Sequence, residues 1–163
     1  MSICGLDVDE SKLCILHKDQ MIIFSVNNQI YYASMKMIYK TFHGKDIKVF
    51  TAEKEWATAQ IVGRPCTENL ICINNSIICT EDALVLCEHE FIPARCISRL
   101  DKVRMVHDQH WSGPAFYSDD RFVDVGSISN VEPAEDEWLF GLKFFGPDSA
   151  YTLKNGMIVS AVQ

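Results

Sequence analysis

Apolar residues along this chain fall in short, often β-branched runs, with polar or turn-forming residues between them. That is the pattern of many short strands rather than of long helices. "KLCILHKDQMIIFSV" predicts a strand, a turn over residues 17–20 and a second strand, together a first hairpin. "QIYYASMKMIYKTF" predicts a strand running into a short helix, because Met35, Ile38, Tyr39 and Phe42 fall at helical spacing. "IKVFTA" and "WATAQIVG" read as two more strands. The densest β segment is "NLICINNSIICTEDALVLCEHEFIPARCI", in which three apolar runs are punctuated at Asn74-Asn75 and around residues 88–90.

After "SRLDKVRMV" the chain turns polar in "HDQHWSGPAFYSDDR", with Gly113-Pro114 near its centre. Residues 107–121 are therefore expected to form an exposed loop. "FVDVGSISNVEP", "EWLFGLKFF" and "AYTL" follow, and then Asn155-Gly156, the strongest two-residue signal for a tight hairpin, before "MIVSAV". Ten or more short strands with at most one helix predict an all-β fold. With 163 residues, 48% of them hydrophobic, one ordinary core and a single domain over 1–163 are expected. The pattern alone does not choose between a barrel, a sandwich and a more irregular sheet.

Charge narrows the function. The formal net charge is −7, and the 15 lysines and arginines form no basic stripe, so a nucleic-acid partner is not expected. No apolar run approaches the ~18 residues of a membrane helix, and the N-terminus shows no secretion signal. The expectation is a cytoplasmic protein, or one assembled into a particle there. The seven cysteines include no C-x2-C pair and several lie inside apolar runs, which reads as reduced core thiols. No cofactor is expected, since there is neither a phosphate loop nor a dinucleotide fingerprint.

Three stretches in order carry a family resemblance. "INNSIICTEDALVLCEHEFIPARCI" (residues 73–97) resembles the core block of the Hint superfamily, the Hedgehog and intein autoprocessing domains. Thr80-Glu81-Asp82-Ala83 stands where that block has T-x-x-H, and "FIPARCI" resembles the alanine-containing step after it. "VGSISNVEPAEDEWLFGLKFF" (residues 125–145) is similar to the late strand pair. "AYTLKNGMIVSAVQ" is similar to the intein C-terminal block. The resemblance implies a Hint-like, intein-like fold. It also implies missing chemistry. Ala83 replaces the histidine that would protonate the departing amide nitrogen, and Ser160 and Ala161 replace the terminal His-Asn pair. Val162 stands where the acyl acceptor would be, while Cys4 and Ser11 flank the expected nucleophile without matching it.

No catalytic residue and no metal site are therefore assigned. The expected role is a catalytically inactive structural or protein-interaction component of a larger assembly, such as a viral or phage particle. The alternative is an enzyme, either self-processing or a Cys/His hydrolase using Cys4, or Cys87 with His89 two residues on. In the polar loop, Trp111, Phe116 and Tyr117 are the candidate contacts for a protein partner, because exposed aromatics in a polar surround are enriched at interfaces. His107 and His110 beside Asp108 have ligand chemistry, but a polar loop of solvated residues is the favoured reading. The acidic run over residues 132–137 reads as a solvated turn, with a docking patch for a basic partner as its alternative.

Overall fold

Asparagine pairs shape the first hairpins. The computed structural model describes residues 10–108, 118–147 and 149–161. Strands β2 (Met21–Val26) and β3 (Gln29–Ser34) join through Asn27 and Asn28, both with positive φ (53° and 65°). That is the type I′ geometry that asparagine tolerates and most residues resist. Asn74 and Asn75, at φ 55° and 53°, do the same between β6 (Leu70–Ile73) and β7 (Ile77–Thr80), where the Ser76 N–H donates to the Ile73 carbonyl.

The predicted helix is present as α1 (Met35–Phe42), the only α-helix among the described residues. Ser34 caps it, its hydroxyl accepting the Met37 N–H at 3.3 Å. Met35 and Ile38 are buried, and Tyr39 and Phe42 pack partly against the core. The helical spacing in the sequence was therefore the inward stripe.

The expected first hairpin did not form. β1 (Leu16–His17) does not pair with β2. It lies between β7 and β13 (Trp138–Phe144), with Leu16 opposite Cys79 on one side and Phe140 on the other. Both edges of β1 are thus taken. The intervening turn is held instead by the strand-to-helix corner: the Met35 N–H donates to the Gln20 carbonyl at 2.8 Å, and the Lys36 N–H to the Lys18 carbonyl at 3.1 Å.

The remaining strands are β4 (Ile47–Phe50), β5 (Trp56–Pro65), β8 (Leu84–Leu86), β9 (Phe91–Pro93), β10 (Lys102–Asp108), β11 (Ser118–Asp124), β12 (Ile128–Val131), β14 (Ala150–Thr152) and β15 (Ile158–Ser160). One sheet has nine strands in the order β12-β6-β7-β1-β13-β5-β4-β2-β3, a second has four in the order β14-β15-β8-β9, and β10-β11 form a ribbon. Isolated bridges tie the second sheet and the ribbon to their neighbours: Ile22 to Leu153, Thr51 to Tyr151, Cys87 to Val103 and Met105 to Met157. Most of the core is one cluster running from Leu13 to Ala161, and Val106, Ala150 and Ile158 form a small second one. The expected all-β class with one short helix is what the structure has.

Two local expectations change. The ribbon runs to Asp108 and resumes at Ser118, so strand replaces both ends of the loop expected over 107–121. Aspartates are poor strand formers, and they hid β11 in "SDDRFVD". The Asn155-Gly156 hairpin is there, but its loop has three residues rather than two. The Gly156 N–H donates to the Leu153 carbonyl, Leu153 and Met157 close the loop, and Gly156 takes φ +98°. This is a type I turn followed by a residue of positive φ.

Candidate functional site

The N-terminal segment, the end of β7 and the last strand converge. The Thr80 N–H donates to the Ile15 carbonyl at 2.9 Å, and the Ile15 N–H to the Phe140 carbonyl at 3.1 Å. The turn after β7 folds back on itself, with the Ala83 N–H donating to the Thr80 carbonyl at 3.2 Å. It is clamped from the far side by the 3-10 turn Ala94–Cys96, whose Ala94 N–H reaches the Ala83 carbonyl at 2.8 Å. Arg95 adds a backbone bond to Glu81 and an ion pair with Asp82.

β15 pairs with β8 in the register Val159 to Val85 and Ser160 to Leu84. Ala83 directly precedes Leu84 and Ala161 directly follows Ser160, so both stand at the same end of this strand pair. Ala83 is completely buried and Ala161 nearly so. The Ser160 hydroxyl is turned away into a bond to the Ser149 carbonyl at 3.2 Å.

A cavity of about 430 Å³ opens beside this junction, lined by Ser11, Lys12, Cys14, Arg64, Glu68 and Thr80, with Asp82 on its rim. Its charges are largely committed. Arg64 donates from Nε to the Ser11 carbonyl at 2.8 Å and from one terminal nitrogen to the Cys14 carbonyl at 3.3 Å, and the same nitrogen lies 2.6 Å from Glu68 Oε1. Cys14 is buried, its thiol donating to the Glu10 carbonyl at 3.4 Å. Thr80 Oγ1 is buried without a hydrogen-bond partner among the described residues.

No protein-family model matches the chain, and no curated protein matches it significantly in sequence. Solved structures do match in fold. An intein from a hyperthermophile superposes with a TM-score of 0.69 at 17% identity, over 90% of this chain and 98% of its own. The Mvu mini-intein of transcription factor IIB superposes with a TM-score of 0.68 at 14% identity, over 90% of this chain and 99% of its own. A bacterial intein-like domain from Clostridium thermocellum superposes with a TM-score of 0.60 at 16% identity, over 90% and 98%.

The chain has the Hint fold.

The three segments that carried the resemblance supply β7, β12 and β13 of the nine-stranded sheet and all four strands, β8, β9, β14 and β15, of the second sheet. By the resemblance, the histidine position of T-x-x-H is Ala83 and the terminal asparagine position is Ala161, and each holds only a methyl group. Neither can give or take a proton. The pairing of β15 with β8 puts these two positions at the same end of one strand pair, which sequence spacing alone did not reveal.

The other predicted positions fare differently. Cys87 is buried while the side chain of His89 is 85% exposed and lies beside Glu88, so the two do not form a nucleophile–base pair. Burial, with Asp101, Glu90 and Glu88 nearby, pushes the Cys87 thiol up to about 11, the opposite of activation. Cys4, His110, Trp111, Phe116 and Tyr117 lie outside the described residues, as does the side chain of His107. Among the described residues, no group of three or more histidines, cysteines, aspartates or glutamates is placed to hold a metal ion. No helix among them is long and apolar enough to cross a membrane.

The expected solvated turn over residues 132–137 is half right. Glu132, Glu135 and Asp136 are exposed, but Glu137 is only 6% exposed. Its Oε1 takes a hydrogen bond from His17 Nε2 at 3.1 Å, and its Oε2 lies 3.6 Å from the Lys18 ammonium. His17 Nδ1 accepts the Asp19 N–H at 3.2 Å, which leaves the ring proton on Nε2. Sequence reasoning missed this pair because His17 and Glu137 are 120 positions apart and meet only through β1–β13 pairing.

The thiols give a direct check. Cys14, Cys66, Cys72, Cys79 and Cys87 are buried, and Cys96 is the exposed one among the described cysteines. Burial raises the Cys79 thiol to about 12. At pH 8 a thiol at about 11 or 12 is a thiolate in no more than about one part in a thousand. Mass-mapped iodoacetamide labelling of the native protein should modify Cys96 at least ~100-fold faster than Cys79 or Cys87. Labelling of Cys87 at the rate of Cys96 would contradict its burial and revive the hydrolase alternative.

Proposed function

We propose that this chain is a Hint-fold domain without autoprocessing or hydrolytic chemistry, acting as a structural or protein-interaction component of a larger assembly. The observation that carries this is that Ala83 and Ala161, buried at the same end of the β8–β15 pair, stand where the resemblance puts a proton donor and a cyclising asparagine. A general acid typically contributes ~10²–10⁴ in rate, and the nucleophilic step has no substitute for a missing side chain. Cys14 and Cys87 offer no replacement nucleophile. Both are buried.

With the chemistry gone, what the fold still offers is shape and surface. Its residual cavity beside Thr80 has its main cation, Arg64, engaged with backbone carbonyls and Glu68, which supports a structural rather than a catalytic use of that region.

The test is the intact mass of freshly purified protein, taken before and after a day with dithiothreitol. One unchanged species at the mass of all 163 residues is the expected result. A shortened species cut near Cys4 or after Asn155 would show surviving chemistry and overturn the proposal.

A further inference from the structure

A second hollow, of about 270 Å³, lies between α1 and the start of β13. Its apolar wall is an aromatic trio. The Tyr39 ring centroid is 5.2 Å from Phe140 and 6.1 Å from Trp138, and Trp138 and Phe140 are 6.5 Å apart. Three lysines line the same hollow, Lys18, Lys36 and Lys40, with Asp136, and Lys18 is already paired with Glu137 at 3.6 Å. Lys36 and Lys40 stand four apart and so share a face of α1. Lys18 is drawn in by the backbone bond from the Lys36 N–H to its carbonyl. Trp138 keeps 39% of its surface exposed there.

This concentration runs against the chain as a whole. With a net charge of −7 and 15 basic residues among 163, Lys36 and Lys40 beside this hollow, with Lys18 offset by Glu137, leave a local excess of positive charge over Asp136. The hollow is smaller than the roughly 300–1,000 Å³ pockets that enclose small ligands, but it accommodates one aromatic side chain. An aromatic anchor in a pocket with charged groups at its rim is the pattern of an interface hot spot. The rim charge selects carboxylates on either side of that anchor.

We propose that this groove binds an acidic segment of a protein partner, seating one aromatic side chain against Trp138 and Phe140, with flanking carboxylates on Lys36 and Lys40. This rests on reading the domain as an interaction module and names the chemistry of its partner. It does not depend on the loss of autoprocessing, so a change in intact mass would leave it standing.

The probe is the blocked peptide Glu-Glu-Phe-Glu-Glu, titrated into the ¹⁵N-labelled full chain at about 50 mM salt and followed by NMR. Saturable shifts are expected at the Lys36, Tyr39 and Lys40 amides and the Trp138 indole. Binding should weaken at least ~10-fold in the Lys36→Glu, Lys40→Glu double variant, and several-fold at about 300 mM salt. The peptide with alanine in place of phenylalanine should bind at least ~5-fold more weakly.

If the charge-reversed variant loses its dispersed spectrum, Lys36→Gln with Lys40→Gln serves instead, with the same direction expected. The proposal is overturned by no saturable shifts up to about 5 mM peptide. It is equally overturned by equal binding of Lys-Lys-Phe-Lys-Lys, or by an unchanged affinity in the lysine variants. Tighter binding of a thymidine oligonucleotide of about fifteen bases at these residues would make the groove a nucleic-acid site and sink the peptide reading.

Discussion

Replacing Gly141 by alanine should lower stability by about 3 kcal/mol or more. Gly141 lies within β13, opposite Val62 of β5, where the N-terminal segment crosses the strand. A Cβ built there would sit 1.7 Å from the Leu13 carbonyl oxygen, 2.4 Å from its carbon and 3.0 Å from the Cys14 nitrogen. These are backbone atoms, and no rotamer change can move them aside.

The crossing segment cannot lift away cheaply either. The Ile15 N–H is bonded to the Phe140 carbonyl, the Ile15 carbonyl takes the Thr80 N–H, and Arg64 holds the Ser11 and Cys14 carbonyls. Making room for one methyl group therefore means breaking several of these bonds. Urea unfolding monitored by tryptophan fluorescence reads the effect. An unfolding free energy within about 0.5 kcal/mol of the parent would contradict the close crossing.

Gly156→Ala should cost about 2–3 kcal/mol, from two separate sources. The residue has φ +98°, where an L side chain is strained, and its Cβ would fall 2.3 Å from the Val106 carbonyl oxygen. The Val106 N–H in turn donates to the Gly156 carbonyl at 2.7 Å, and Met105 bridges to Met157. The loop is thus the seam between the β10–β11 ribbon and the β14–β15 hairpin. Its loss should appear in amide exchange as faster opening of Val106 and Leu153 than of the β5–β13 centre. Uniform protection across all four elements would contradict the seam.

The elements that the sequence revealed are those whose signal is local. The helix spacing of Met35, Ile38, Tyr39 and Phe42, the Asn74-Asn75 turn and the Asn155-Gly156 hairpin each follow from the conformational preferences of a few adjacent residues. β11 was hidden because Asp119 and Asp120 argue against a strand, and the pairing with β10, register Val106 to Asp120, overrides them.

The first hairpin failed for a different reason. Two strands next to each other in sequence are usually neighbours, but here β1 finds partners in β7 and β13 and leaves β2 to the other half of the sheet. The site shows the same limit. Ala83 and Ala161 could be named from motif resemblance, yet it is the β8–β15 register that puts them at the same end of one strand pair. His17 with Glu137, and Lys18 with Lys36 and Lys40, carried no sequence signal. Each set joins segments distant in sequence.

The most direct test places the chain between two folded reporter domains, one at each end, in a single expressed fusion. Mass spectrometry after expression and incubation with dithiothreitol then looks for the joined reporters and for cleavage at either junction. A single intact fusion is the result predicted for a Hint fold with alanine at positions 83 and 161. Ligated reporters, or release of either one at its junction, would contradict the claim that this fold has been kept while its chemistry has been lost.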